Sequence, residues 1–161
     1  MGYVLQGVIG SAAALQPVAG LVSAVVVRLG QGLCLLPMTG SLFDEVTRGD
    51  AVDSRFALCE RFPPGFDSLL AGWSRRGPVA YVEADFWGGT GTQFAAVWDA
   101  GELVLGPIVD GLDAPPAVVR RSAISQALRR LGASAHRHID EFAAVGLDRH
   151  RHVEDWLEGQ S

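Results

Sequence analysis

At 161 residues the chain has room for one hydrophobic core, and 48% hydrophobic against 19% charged residues excludes intrinsic disorder. A formal net charge of −5 lacks the basic footprint that nucleic-acid binding needs, while it suits a basic protein partner. The two cysteines, Cys34 and Cys59, lie in apolar or mixed segments at no metal-ligand spacing and read as reduced core residues, as in a cytosol, with one disulfide between them left open.

The first 43 residues carry a single charge, Arg28. Gln6, Gln16, Pro17 and glycines at 7, 10 and 20 cut this run into pieces short of the roughly 20 apolar residues a spanning helix needs, and no basic region precedes Val4 as in a secretory signal. The expectation is a buried strand–helix–strand unit in a cytoplasmic protein without a membrane span. Tyr3–Ile9 reads as a strand, Ser11–Ala19 as a short helix capped by Ser11, Ala24–Leu29 and Leu33–Leu36 as two further strands, and Ser41–Thr47 as a short helix. Residues 48–64 have no assignable period. Phe66, Leu69, Leu70 and Trp73 follow i, i+3, i+4, i+7 and predict a helix stopped at Gly77-Pro78.

Val79–Leu105 predicts three strands of an antiparallel meander, with the second turn at Asp99-Ala100-Gly101. Ile108–Val119, flanked or interrupted by Pro107, Pro115 and Pro116, reads as a loop, either a lid or a connector. Ser122 opens a helix with Ile124, Ala127, Leu128 and Leu131 on one face and Gly132 at its end. Asp140–Val145 reads as a short helix, and Asp148 as the cap of a last one carrying Val153, Trp156 and Leu157. These elements predict a single α+β domain over residues 1–161. Its antiparallel sheet has five or six strands, and helices including Phe66–Arg76 and Ser122–Leu131 are packed on one face.

Period-two alternation puts Tyr81, Glu83, Asp85 and Trp87 on one face of the first meander strand and Val82, Ala84 and Phe86 on the other. Two carboxylates two residues apart on a strand point the same way, and such a pair can hold a cation, work as acid and base, or meet arginines of a partner. Trp87 beside them favours an interface, and Gln93 returns to the group on the next strand. A solvated sheet face is the plain alternative. The turn Gly88-Gly89-Thr90-Gly91 lacks the Gly-Lys-Ser/Thr ending and following helix of a phosphate loop, so its glycines serve the hairpin. All 4 histidines fall in the tail: His136, His138, His150 and His152. Two His-x-His pairs could supply imidazoles to zinc, but residues two apart on a helix point nearly opposite ways. No hydrolase motif is present.

The segments AYVEADFWGGTGTQFAAVW, ISQALRRLG and DEFAAVGLDRHRHVEDW resemble small bacterial proteins in the style of immunity proteins, which neutralise secreted toxins. The resemblance covers about the C-terminal half and carries no catalytic residue. Together with the acidic composition and the lack of a catalytic constellation, it leads to the expectation of a non-enzymatic cytoplasmic binding protein without a cofactor, which would meet a toxin through the acidic sheet face read above from Glu83, Asp85, Trp87 and Gln93. The alternative is a small metal-dependent enzyme combining Glu83 and Asp85 with the tail histidines; self-association is a third reading.

Overall fold

A computed structural model describes residues 2–87, 90–111 and 122–158, with the backbone alone for Trp87 and Thr90. Six strands form one antiparallel sheet: β1 (Tyr3–Ser11), β2 (Val27–Arg28), β3 (Leu33–Pro37), β4 (Val79–Trp87), β5 (Thr90–Asp99) and β6 (Glu102–Gly111), in the order β2-β3-β1-β4-β5-β6. Four α-helices accompany it among the described residues: α1 (Gly40–Val46), α2 (Phe66–Trp73), α3 (Ala123–Arg130) and α4 (Glu141–Ala144). The chain is thus an α+β protein with the antiparallel sheet that its sequence predicts, and no helix of the described residues is long and apolar enough to cross a membrane.

β1 explains the uncharged N-terminal region. It runs through the middle of the sheet between β3 and β4, with Leu5, Val8 and Ile9 wholly buried, so both of its faces are covered and its polar alternation is lost. The next segment coils as a 3₁₀ helix at Gln16–Gly20, with Pro17 in its first turn, and the Ser11 hydroxyl accepts from Ala14 N. The β5–β6 turn has Ala100 and Gly101 at positive φ (52° and 87°), the mirror-image geometry that matches strand twist.

The helices divide between the two faces of the sheet, and here the structure differs from the single helical cover expected. On one face Ala80, Val82, Ala84, Ala95 and Val97 present small side chains to α3, whose Ala123, Ile124, Ala127 and Leu128 are wholly buried, and Val145, Leu147 and Trp156 complete that layer. On the other face large rings fill the space under α1, α2 and the long 48–64 connection: Phe56, Phe62, Phe66, Trp73, Tyr81, Phe94 and Trp98. A central sheet with apolar residues at both parities needs two covers; the amphipathic pattern of α2 and α3 shows that each buries a face without saying which side of the sheet receives it.

Three other differences have local causes. Ile108 to Gly111 belong to β6 and not to a loop. Pro107 is tolerated inside β6 because that strand is at the sheet's edge and its register shifts between Ala95 and Val97, leaving positions that need no N–H donor; residues 112–121 of the expected lid lie outside the described residues. The last helix is not capped by Asp148. Leu147–Arg149 and Val153–Leu157 form separate 3₁₀ turns, and the second starts after His152 without a side-chain cap. The tail is instead tied down by main chain: Arg151 O accepts from Val4 N (2.7 Å) and Val145 O from Gly30 N (2.8 Å), while the Tyr3 hydroxyl donates to Leu147 O (2.8 Å).

Phe62 is the hub of the aromatic layer, stacked on Phe56 with centroids 4.1 Å apart and edge-on to Tyr81 at 4.9 Å. Replacing it with alanine removes these contacts from a site only 4% exposed, so Phe62→Ala is expected to lower unfolding free energy by about 3–5 kcal/mol in denaturant titration. A loss under about 1 kcal/mol would mean that this layer is not a packed core.

Candidate functional site: an acidic cleft on the aromatic face

The antiparallel register sets four side chains in a row across the sheet: Gln6 on β1 opposite Glu83 on β4, Glu83 opposite Phe94 on β5, and Phe94 opposite Val109 on β6. Directly opposed residues share a face, so the row lies on the aromatic side. Asp85 stands one step along β4, opposite Thr92. The chain from Leu58 to Arg61 passes over this row and closes a cleft of about 430 Å³ whose wall includes Leu58, Glu60, Glu83 and Asp85. Gln6, Glu83 and Phe94 form its buried floor, and Leu58, Glu60, Asp85, Thr92 and Val109 its exposed rim.

Glu83 is the keystone of this arrangement. It is 8% exposed, and its Oε1 accepts from Glu60 N (2.7 Å) while Oε2 accepts from Arg61 N (2.9 Å). The Tyr81 hydroxyl lies 2.7 Å from Oε2 and 2.8 Å from Arg61 O. The hydroxyl is placed to donate to both Glu83 Oε2 and Arg61 O, which share its one hydrogen. Burial pushes the Glu83 carboxyl above the usual carboxylate range, against the pull of its three donors. Burial, reinforced by Glu83, pushes Tyr81 well up, and burial followed by the Glu83 charge pushes the Cys59 thiol up as well. Cys59 is therefore a poor nucleophile, and both cysteines are free thiols.

Of the residues expected to form one binding face, Glu83, Asp85 and Gln93 all border the cleft, but their side chains do not act together. Glu83 and Asp85 share a face as their spacing predicts, but Glu83 is internally bonded and Asp85 is exposed. Gln93 projects to the opposite face. It pairs with Ala84, and its Oε1 accepts from Ile124 N (2.9 Å). With Asp110 Oδ2 accepting from Ala123 N and Ser122 Oγ from Ser125 N, it satisfies the first free N–H groups of α3. The expected cap at Ser122 is present, and Gln93 is a second one supplied by the sheet. The Trp87 side chain lies outside the described residues. Gly91 serves packing, because a Cβ there would run into the Asp85 carbonyl.

Among the described residues no three of His, Cys, Asp and Glu are grouped as metal ligands would be. His150 packs edge-on to Trp156 at 4.7 Å, in the layer on the far side of the sheet from Glu83, so these two do not share a site.

Sequence reasoning passed over Gln6, Leu58, Glu60 and Val109. Gln6 carried a signal, an amide in the middle of an apolar strand. It is 3% exposed and its Oε1 has no hydrogen-bond partner among the described residues, an unmet acceptor in a residue of the cleft floor. No arginine or histidine is among the described residues that line the cleft, which is acceptor-rich: three carboxyl groups and the Gln6 amide, with Gln93 bordering it while its Oε1 accepts from Ile124 N. Arg61, next in sequence, turns away to donate to Met38 O (3.1 Å).

No protein-family model matches the chain, and comparisons with curated proteins and with solved structures bring no match either.

The raised Glu83 value fixes a pH dependence. A carboxyl whose folded-state affinity for its proton exceeds the unfolded one adds stability that is fully present at acid pH, below the unfolded value, and is lost as pH rises through the folded value. Glu83→Gln keeps the contacts to Tyr81 and Glu60, sets its amide against the Arg61 N–H, and does not titrate. The variant is expected to be about 1 kcal/mol less stable than the parent at acid pH, with the gap narrowing as pH is raised towards neutrality. Chemical unfolding of both proteins across that range measures it; a gap that widens with pH would show a carboxylate stabilised by ionisation.

Proposed function

We propose that the protein is a non-enzymatic binding protein whose cleft receives a basic side chain of a protein partner, in the manner of an immunity-type inhibitor that occupies a toxin's basic surface. The observation that carries this reading is the composition of the cleft, which offers hydrogen-bond acceptors and no cation. Glu60 and Asp85 stand at its rim, and the unpartnered Gln6 Oε1 and the Glu83 carboxyl at its floor. A guanidinium supplies donors in several directions and matches such a wall. Around the mouth Leu58 is 80% exposed and Val109 48% exposed, so an apolar contact area surrounds the acceptors, as in protein interfaces with an anchored centre. Glu83, already bonded to the 60–61 backbone, shapes the cleft, and Asp85 supplies the accessible charge. A cytoplasmic site of action belongs to this reading.

The test is affinity capture of a partner from source-cell extract by three forms of the protein. A stoichiometric partner retained by the parent and by Asp148→Lys, a charge reversal at an exposed acid that does not line the cleft, is expected to be lost or weakened at least tenfold by Asp85→Lys. Equal retention by Asp85→Lys would contradict the assignment of the cleft as the binding site.

A further inference from the structure

A second cavity, of about 420 Å³, opens on the other layer of the protein, between β2 and the C-terminal 3₁₀ turns, and its chemistry is the reverse of the first. Its wall carries Arg28, Arg149, His150 and Trp156, with Glu158 as its single acidic residue among those described. We propose that it binds an oxyanion of the phosphate type, either free or as the monoester end of a larger molecule.

Three observations place donors and positive charge there without matching acceptors. The Arg28 side chain is exposed and makes no hydrogen bond or ion pair among the described residues, although Arg28 is fixed in β2 by pairing with Cys34. Arg149 is held by two neutral acceptors: its Nε donates to Gly146 O (3.1 Å) and its Nη2 to Arg28 O (2.6 Å). Those bonds orient the guanidinium, which also lies 5.5 Å from the Trp156 ring centre, and leave its charge uncompensated. Trp156 is 1% exposed and its Nε1–H is buried without an acceptor among the described residues. Buried indole N–H groups are normally paired, and Trp156 is part of the cavity wall.

Two arginines from separate elements line the cavity, one of them preorganised by backbone carbonyls, and guanidiniums suit phosphate oxygens. An oxyanion seated in the cavity brings acceptors to this wall and neutralises both charges. Glu158, the acidic residue of the wall, opposes an anion electrostatically. The site is independent of the cleft described above, because Trp156 belongs to the layer packed on the opposite face of the sheet.

The experiment is a titration of the full chain with inorganic phosphate, followed through the indole N–H resonance of Trp156 by nuclear magnetic resonance, against sodium chloride at matched ionic strength. A saturable shift of that resonance is expected with phosphate and not with chloride. Arg28→Gln, which removes no internal bond, is expected to weaken it at least tenfold, and Glu158→Gln to tighten it. A phosphate monoester in place of the inorganic ion distinguishes the source: tighter saturation by the ester assigns the site to a phosphorylated group on a larger molecule, equal or weaker saturation to the free ion. Absence of a saturable phosphate shift, or an unchanged response in Arg28→Gln, would overturn the proposal.

Discussion

The buried carboxyl of Glu83 is the interaction on which the acidic cleft depends. The chain between α1 and α2 is long, has little regular structure, and must nevertheless deliver Phe56 and Phe62 to the aromatic layer. Backbone in such a connection has no ladder to satisfy it and is costly to bury. Glu83 replaces the ladder. Reaching out of the middle of β4, it takes the N–H groups of Glu60 and Arg61, while Tyr81 from the same face is placed to take the Arg61 carbonyl. These few bonds join a connection without regular structure to a central strand. They also set the height at which Leu58 and Glu60 stand over the sheet, which is what makes a cleft there.

The two sides of the sheet solve the packing problem in different ways. Alanines alternating with valines on β4 and β5 let α3 approach closely, and its N-terminal amides are then satisfied by Gln93 and Asp110 from the strands beneath. On the reverse, rings from the connection, from α2 and from β4 and β5 fill a deeper layer, where edge and stacked contacts link Phe56, Phe62, Phe66 and Tyr81. The candidate cleft arises where this ring layer gives way, beyond Phe94, to the polar Gln6, Glu83 and Asp85. The oxyanion cavity arises at another margin, where the C-terminal turns meet the short β2.

Much of this was legible before any coordinates. The meander followed from alternation and a turn with Asp-Ala-Gly, α2 from its apolar spacing, and α3 from Ser122 and Gly132, because each rests on local chemistry. The side of the sheet that each helix covers was not legible, since amphipathicity has no reference to a distant sheet. The shared face of Glu83 and Asp85 followed from strand period, whereas the burial of Glu83 depends on residues 60 and 61, more than twenty positions earlier. Gln93 was misplaced for a reason that is arithmetical. Trp87 pairs with Thr90, so Gln93 falls opposite Ala84; an odd number of residues between the strands would have put it beside Glu83. Gln6 could have been noticed as an amide inside an apolar strand, but its partner-free state is a property of the assembled floor.

The account turns on residues 60 and 61 being held by the sheet. Amide hydrogen exchange of the parent protein measures this most directly, at Glu60 N and Arg61 N, both donors to Glu83 in a segment without regular structure. The account predicts slow exchange at both, with protection approaching that of the β4 amides, because opening them requires breaking the Glu83 network. Exchange at the rate of an unstructured loop would contradict it, since the cleft would then have no fixed wall on that side.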